Sequence, residues 1–142
     1  FYNIGEIIMK TNEFVVARTH KDFLNELLGL NLGGYMKSSK KLDDGKLLWM
    51  IRLDGKVSNA GWRNYLPTPD EIIEEHIGRE FVFEGHHTYM NGGEEFENRV
   101  VFDLVEFGSY RKYIFRGVFR LDKEKCTYSK NVWHKISDEY KF

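Results

Sequence analysis

The chain has 142 residues, 42% of them hydrophobic, 15% aromatic and 30% charged, with a formal net charge of −1. That length predicts one domain with a sizeable core, and the share of aromatic residues argues against disorder. A single cysteine, Cys126, excludes an internal disulfide framework and any Cys-based zinc cluster, and with no apolar run of spanning length and no signal-peptide pattern the expected compartment is the cytoplasm, with no membrane partner.

Met9 is an acceptable native start, so residues 1–8 are read as vector-derived or upstream and the domain as 9–142. The β-branched run at 13–18 predicts a strand. Thr19, with Asp22 three residues on, predicts a capped helix over 19–28. Its buried face is Phe23, Leu24, Leu27 and Leu28, and Gly29 is its stop. Residues 29–45 form a long Gly/Ser/Lys-rich loop holding Tyr35. The alternation of Leu47, Trp49, Ile51 and Leu53 predicts a strand over 46–53, and Asp54-Gly55 marks a turn.

An irregular stretch carrying Trp62 and Tyr65 leads to Thr68-Pro69-Asp70-Glu71, which reads as a capping box with proline at the first helical position. A second helix is therefore expected over 69–77, burying Ile72, Ile73, His76 and Ile77. Beyond it the pattern turns to strands, at 80–84, 98–107, 111–122 and 131–136, with a polar loop at 85–95. These elements predict an α+β fold: a curled antiparallel barrel of five to six strands, with two short helices inserted in the N-terminal half.

Charge is unevenly spread. Residues 1–107 hold 12 basic against 18 acidic side chains, whereas residues 108–142 hold 9 against 4. On the strand 111–122, alternate positions Lys112, Arg116 and Arg120 are cationic, and Arg111 precedes them. Alternate strand residues stand about 6.6–6.8 Å apart, comparable to phosphate spacing along a nucleic-acid strand. The stripe is expected to face solvent while Tyr113, Phe115 and Phe119 point inward. The competing structural reading pairs these cations with the acids of strand 98–107, such as Asp103 and Glu106.

Rings in irregular segments suit base stacking. Trp62-Arg63-Asn64-Tyr65 gathers two rings, a guanidinium and an amide that can read a base edge. Tyr35, with Lys37 and Ser38 behind it, is the candidate opposite wall, while Trp49 and Trp133 read as core. Tyr89 is a further loop aromatic. His86-His87 is a weak candidate for catalysis or metal, because strand neighbours point to opposite faces. Gly33-Gly34 and Gly92-Gly93 lack the Lys-Ser/Thr of a phosphate loop. The lysines around Cys126 favour its thiolate. No catalytic residue, metal or cofactor is assigned.

Residues 113–122, with a Gly between aromatics, followed by Val132-Trp133-His134-Lys135-Ile136, resemble the barrel core of PUA-like domains, the superfamily that includes the SRA, EVE and YTH modules. They also resemble accessory domains of bacterial restriction endonucleases that recognise modified DNA. The similarity is strongest over 98–136. It implies a reader that takes one base between aromatic rings, with Trp62 or Tyr35 as the stacking rings and Asp103 or Asn64 as the base-edge partner.

The reading that follows is a nucleic-acid-binding module, for DNA rather than RNA, non-catalytic by itself. Lys112, Arg116, Arg120 and Arg111 would contact phosphates. Trp62, Tyr35, Asn64, Tyr65, Asp103 and Ser38 would form a pocket for a base, modified or not, and a nuclease or other domain of a larger protein would be its partner. The competing readings are a protein-interaction or regulatory domain, and a small-molecule enzyme using His86 or His87.

Overall fold

The computed structural model describes residues 7–77, 98–127 and 129–142. Along the chain run β1 (Ile8–Lys10), β2 (Phe14–Ala17), α1 (His20–Leu28), β3 (Ser39–Lys41), β4 (Leu47–Ile51), β5 (Trp62–Thr68), β6 (Glu71–His76), β7 (Asn98–Phe107), β8 (Tyr110–Leu121), β9 (Lys130–Ser137) and β10 (Glu139–Lys141). The main sheet has the order β3-β4-β7-β8-β9-β6-β5, with β2 also pairing β8, while β1 and β10 form a separate pair. The expected strand 80–84 and loop 85–95, with His86, His87 and Tyr89, lie outside the described residues.

The first helix forms as its sequence predicts. Thr19 Oγ1 accepts the Asp22 N–H at 3.1 Å, Gly29 ends the helix at φ 65°, and Phe23, Leu24 and Leu27 are buried.

The second expected helix is instead β6. Thr68 pairs with Glu71, so Pro69 and Asp70 make a two-residue hairpin turn, and Thr68 Oγ1 accepts the Asp70 N–H at 3.3 Å. The residue types that cap a helix also stabilise a turn. The β-branched Ile72-Ile73 pair then extends between two partners, β5 and β9. Ile77, needed for a helical stripe, is 46% exposed.

The all-antiparallel expectation also needs correction, because β4 runs parallel to β7, with Leu47 opposite Arg99 and Ile51 opposite Asp103. The β5–β6 hairpin leaves that side of the sheet to pair with β9. This lets β7 return alongside β4 in the same direction, as a crossover requires.

The sheet buries side chains on both faces. On one, Phe23, Leu24 and Leu27 of α1 pack with Leu48, Met50, Val100, Phe102, Tyr113, Phe115 and Val118. Phe23 stacks on Tyr113 at 4.1 Å and meets the Phe102 ring edge-on at 4.8 Å. The other face buries Trp49, Ile51, Leu53, Ile72, Val101, Phe119, Leu121 and Trp133. There the Arg99 guanidinium lies 4.4 Å from the ring centres of both Trp49 and Trp133, and Glu74 accepts from Asn131 at 3.1 Å and Trp133 at 3.4 Å.

Beyond β4, an isolated bridge joins Asp54 to Tyr65, and the Gly55 N–H reaches the Asn64 carbonyl at 3.0 Å. The segment after β4 is thereby tied to β5, at the opposite end of the strand order.

Candidate functional site

That tie borders a cavity of about 610 Å³, whose lining includes Trp62, Asn64, Ser38, His20, Arg52 and Lys56. Its volume falls in the range of roughly 300–1,000 Å³ usual for ligand pockets. Trp62 opens β5 and is fixed from two sides. Its backbone N–H donates to Ser58 Oγ at 3.1 Å, and its ring stands edge-on to His76, centres 5.1 Å apart. His76 is itself held by an Nε2–Ala60 carbonyl contact at 2.8 Å.

Asn64 comes two residues later on the same strand, and strand alternation puts it on the same face as Trp62. Its Oδ1 is buried and has no hydrogen-bond partner among the described residues. Ser38 enters from the loop before β3, and its carbonyl accepts the Met50 N–H at 2.7 Å.

His20, at the first turn of α1, is a cavity residue the sequence reading passed over. Its Nδ1 lies 2.8 Å from the Tyr113 hydroxyl. Burial, then the charges of Arg111 and Arg52, hold its imidazole below the usual value. The only sequence signal was its place next to the Thr19 cap, which aims the first helical turn at the sheet. Arg52 pairs with Glu106 at the cavity rim.

Of the six predicted pocket residues, the structure thus brings Trp62, Asn64 and Ser38 together and puts the other three elsewhere. Tyr35 packs against the helix-side core, its hydroxyl donating to the Ser39 carbonyl at 2.5 Å. Tyr65 faces away from Trp62 and Asn64, with the Arg63 guanidinium 4.7 Å over its ring. Asp103 is 7% exposed and fully engaged: Oδ1 accepts the Leu53 N–H at 3.0 Å, and Oδ2 lies 2.9 Å from Arg116 Nη2.

The basic stripe is not a single face. Tyr113, Phe115 and Val118 belong to one core and Phe119 and Leu121 to the other, so the alternation shifts by one residue. Register irregularities flank this point, and Gly117 between them has φ 123°. Arg120, between Phe119 and Leu121, therefore points opposite to Arg116 and lines a separate cavity of about 410 Å³ beside His134. Arg116 is held by Asp103 and by Asn12 Oδ1 at 2.9 Å. Lys112 sits with its ammonium 4.6 Å from both the Phe14 and Phe107 rings, and Arg111 lies 3.9 Å from Glu106.

Cys126 departs from expectation too. Burial pushes its thiol up rather than down. The sulfur is tied to the Asp122 carbonyl at 3.1 Å and to the Val132 N–H at 3.4 Å.

Among solved structures the chain is similar to the 5-hydroxymethylcytosine-specific restriction enzyme AbaSI, with a TM-score of 0.74 at 24% identity. The similarity covers 94% of this chain and 42% of that one, so the chain spans less than half the length of this relative. No curated protein matches it. The SET and RING associated domain model matches residues 3–142, nearly the whole sequence, and the chain belongs to that SRA family.

Proposed function

We propose that this chain is a DNA-binding module that takes a modified base into the cavity lined by Trp62, Asn64 and Ser38. The observation that carries the reading is that Trp62 and Asn64, two apart on β5, line one cavity, with Asn64 Oδ1 buried and without a hydrogen-bond partner among the described residues. A buried polar atom left unpaired costs about 1–3 kcal/mol. A ligand N–H, such as the exocyclic amine of a base, would remove that cost once the Asn64 amide turns towards the cavity, while the base ring stacks on Trp62. Membership of the SRA family and the likeness to an enzyme specific for 5-hydroxymethylcytosine support a modified pyrimidine as the ligand.

In this reading the curled sheet, tied between Asp54 and Tyr65, acts as a PUA-like barrel whose mouth holds the cavity. Arg111, Lys112 and the rim residues Arg52 and Lys56 contact the phosphates. Arg116 contributes less, because it is held by the buried carboxylate of Asp103, whereas Arg52 and Arg111 share the single exposed carboxylate of Glu106. The module is non-catalytic by itself and works with a nuclease or other domain of a larger protein.

The test is fluorescence anisotropy with duplexes carrying cytosine, 5-methylcytosine or 5-hydroxymethylcytosine at one position, at two salt concentrations. The expected result is tighter binding of a modified duplex, with the preference lost in Trp62→Ala. Equal binding of all three duplexes overturns the reading.

A second reading, an interaction module, rests on one face of β2, β7 and β8, where Phe14, Val16, Val105 and Phe107 are exposed. Exposed apolar side chains grouped on paired strands can mark contact sites. A protein that binds no duplex but associates through this face, with association lost in Phe14→Ser/Phe107→Ser, would favour it.

A further inference from the structure

The cavity wall carries a second polar group whose protonation is set from behind. His20 lines the cavity, and its Nδ1 is 2.8 Å from the hydroxyl of Tyr113. That hydroxyl belongs to a side chain with no exposed surface, stacked on Phe23. Water is therefore not available to it, and its proton has to go to a protein atom. Among the described residues the one hydrogen bond of that hydroxyl is with His20 Nδ1, and the positive charge of Arg111 bears on the phenol oxygen. Guanidinium has only donors to offer. The oxygen is favoured in turning a lone pair towards that charge, and the hydroxyl proton goes to its one hydrogen-bonding neighbour, His20 Nδ1. That nitrogen is then the acceptor, and the ring proton sits on Nε2.

We propose that His20 is a specificity-determining donor of the cavity, held by Tyr113 as the Nε2–H tautomer so that it offers a neutral N–H to an acceptor atom of the bound base. The inference rests on the base-binding reading given above. With it, the cavity wall carries one fixed donor, His20 Nε2–H, one acceptor without a partner among the described residues, Asn64 Oδ1, and one aromatic face, Trp62. The matching ligand is a planar heterocycle carrying both an N–H and an acceptor, either a ring carbonyl or a hydroxyl on a substituent. The charged groups facing His20 are Arg111 and Arg52, both cationic, which favour the neutral ring.

Two measurements test this. Long-range proton–nitrogen NMR of the free, isotope-labelled protein at neutral pH reads the tautomer without any ligand. The expected signal is a pyrrole-type Nε2 and a pyridine-type Nδ1 on His20, with a mixture of tautomers in Tyr113→Phe. A protonated Nδ1 in the wild type overturns the proposal. Affinity is then compared between a modified-base duplex and the same duplex with an abasic site. His20→Ala should weaken the modified-base duplex about 2- to 12-fold, the range for the net loss of one hydrogen bond, and weaken the abasic duplex less. His20→Gln, which keeps an N–H donor, should recover part of the loss. Full discrimination retained by His20→Ala overturns this proposal alone. A wild type that does not discriminate, whatever its tautomer, overturns the base-binding reading and this proposal with it.

Discussion

Arg116 and Asp103 are locked together from neighbouring strands, with Nη2 at 2.9 Å and Nε at 3.3 Å from the same carboxylate oxygen. The other oxygen of Asp103 holds the Leu53 N–H at 3.0 Å, so one buried carboxylate joins β8, β7 and the chain leaving β4. Removing one member of such a set leaves the others unpaired. Asp103→Ala should lower stability by about 2–4 kcal/mol, short of a fully buried pair because Arg116 retains some exposure. Arg116→Gln should cost less. Urea denaturation checks both, and a loss under about 1 kcal/mol for Asp103→Ala would show that the set is dispensable.

Gly117 is where β8 changes the face of its side chains. A Cβ there would stand 2.8 Å from the Ser137 carbonyl oxygen, on a backbone at φ 123°. Gly117→Ala should therefore destabilise by on the order of 3 kcal/mol, combining backbone strain with a clash against main chain. Thermal unfolding of the variant at wild-type temperature would contradict this.

Asn64→Ala separates ligand recognition from folding. Because Oδ1 makes no hydrogen bond among the described residues, the substitution should change stability by less than about 1 kcal/mol. It should weaken binding of a modified-base duplex by roughly tenfold. A large loss of stability would mean that the amide has a structural partner.

The acid limb of stability should carry a contribution from His20. Its folded-state value lies below the ordinary 6.5, so the unfolded chain takes up the proton first. That contribution is complete above about pH 6.5 and is lost as pH falls through that value towards the lowered folded one. Urea titrations at about pH 7.5 and about pH 5.5 should show a smaller drop for His20→Gln than for the wild type. Equal drops would place the lost stability on other groups.

Cys126 should react slowly with maleimide at neutral pH in the folded protein and quickly once unfolded. Burial raises its thiol and both neighbouring backbone groups engage the sulfur. Comparable rates in the two states would contradict the packing.

What the sequence made legible follows from how local the signals were. Thr19, Asp22 and Gly29 fix α1 through contacts within the helix itself, and the alternation at Leu47–Ile51 needed only strand periodicity. The Thr68–Glu71 segment could not be settled locally, since the same four residues cap a helix or close a hairpin. The β5 and β9 ladders on both sides of β6 decide between them. Strands such as Ser39–Lys41 and Glu139–Lys141 are short and charged, and depend wholly on their partners. For the site, Trp62 and Asn64 were readable as neighbours two apart on one chain. The separation of Arg116 from Arg120 was not, because it depends on a one-residue shift that only the paired strands reveal. His20 meets Tyr113 across 93 positions of sequence.

The β1–β10 pair has a consequence for how the molecule is made. Ile8 lies opposite Lys141, the Phe142 N–H reaches the Ile7 carbonyl at 2.7 Å, and the Phe142 ring covers Phe102 and Phe115. During synthesis, the helix-side core therefore waits, with two phenylalanine faces bare, until residue 142 has emerged. Pairings this distant in sequence form slowly. The interval before they close is when the nascent chain is most open to association with others of its kind.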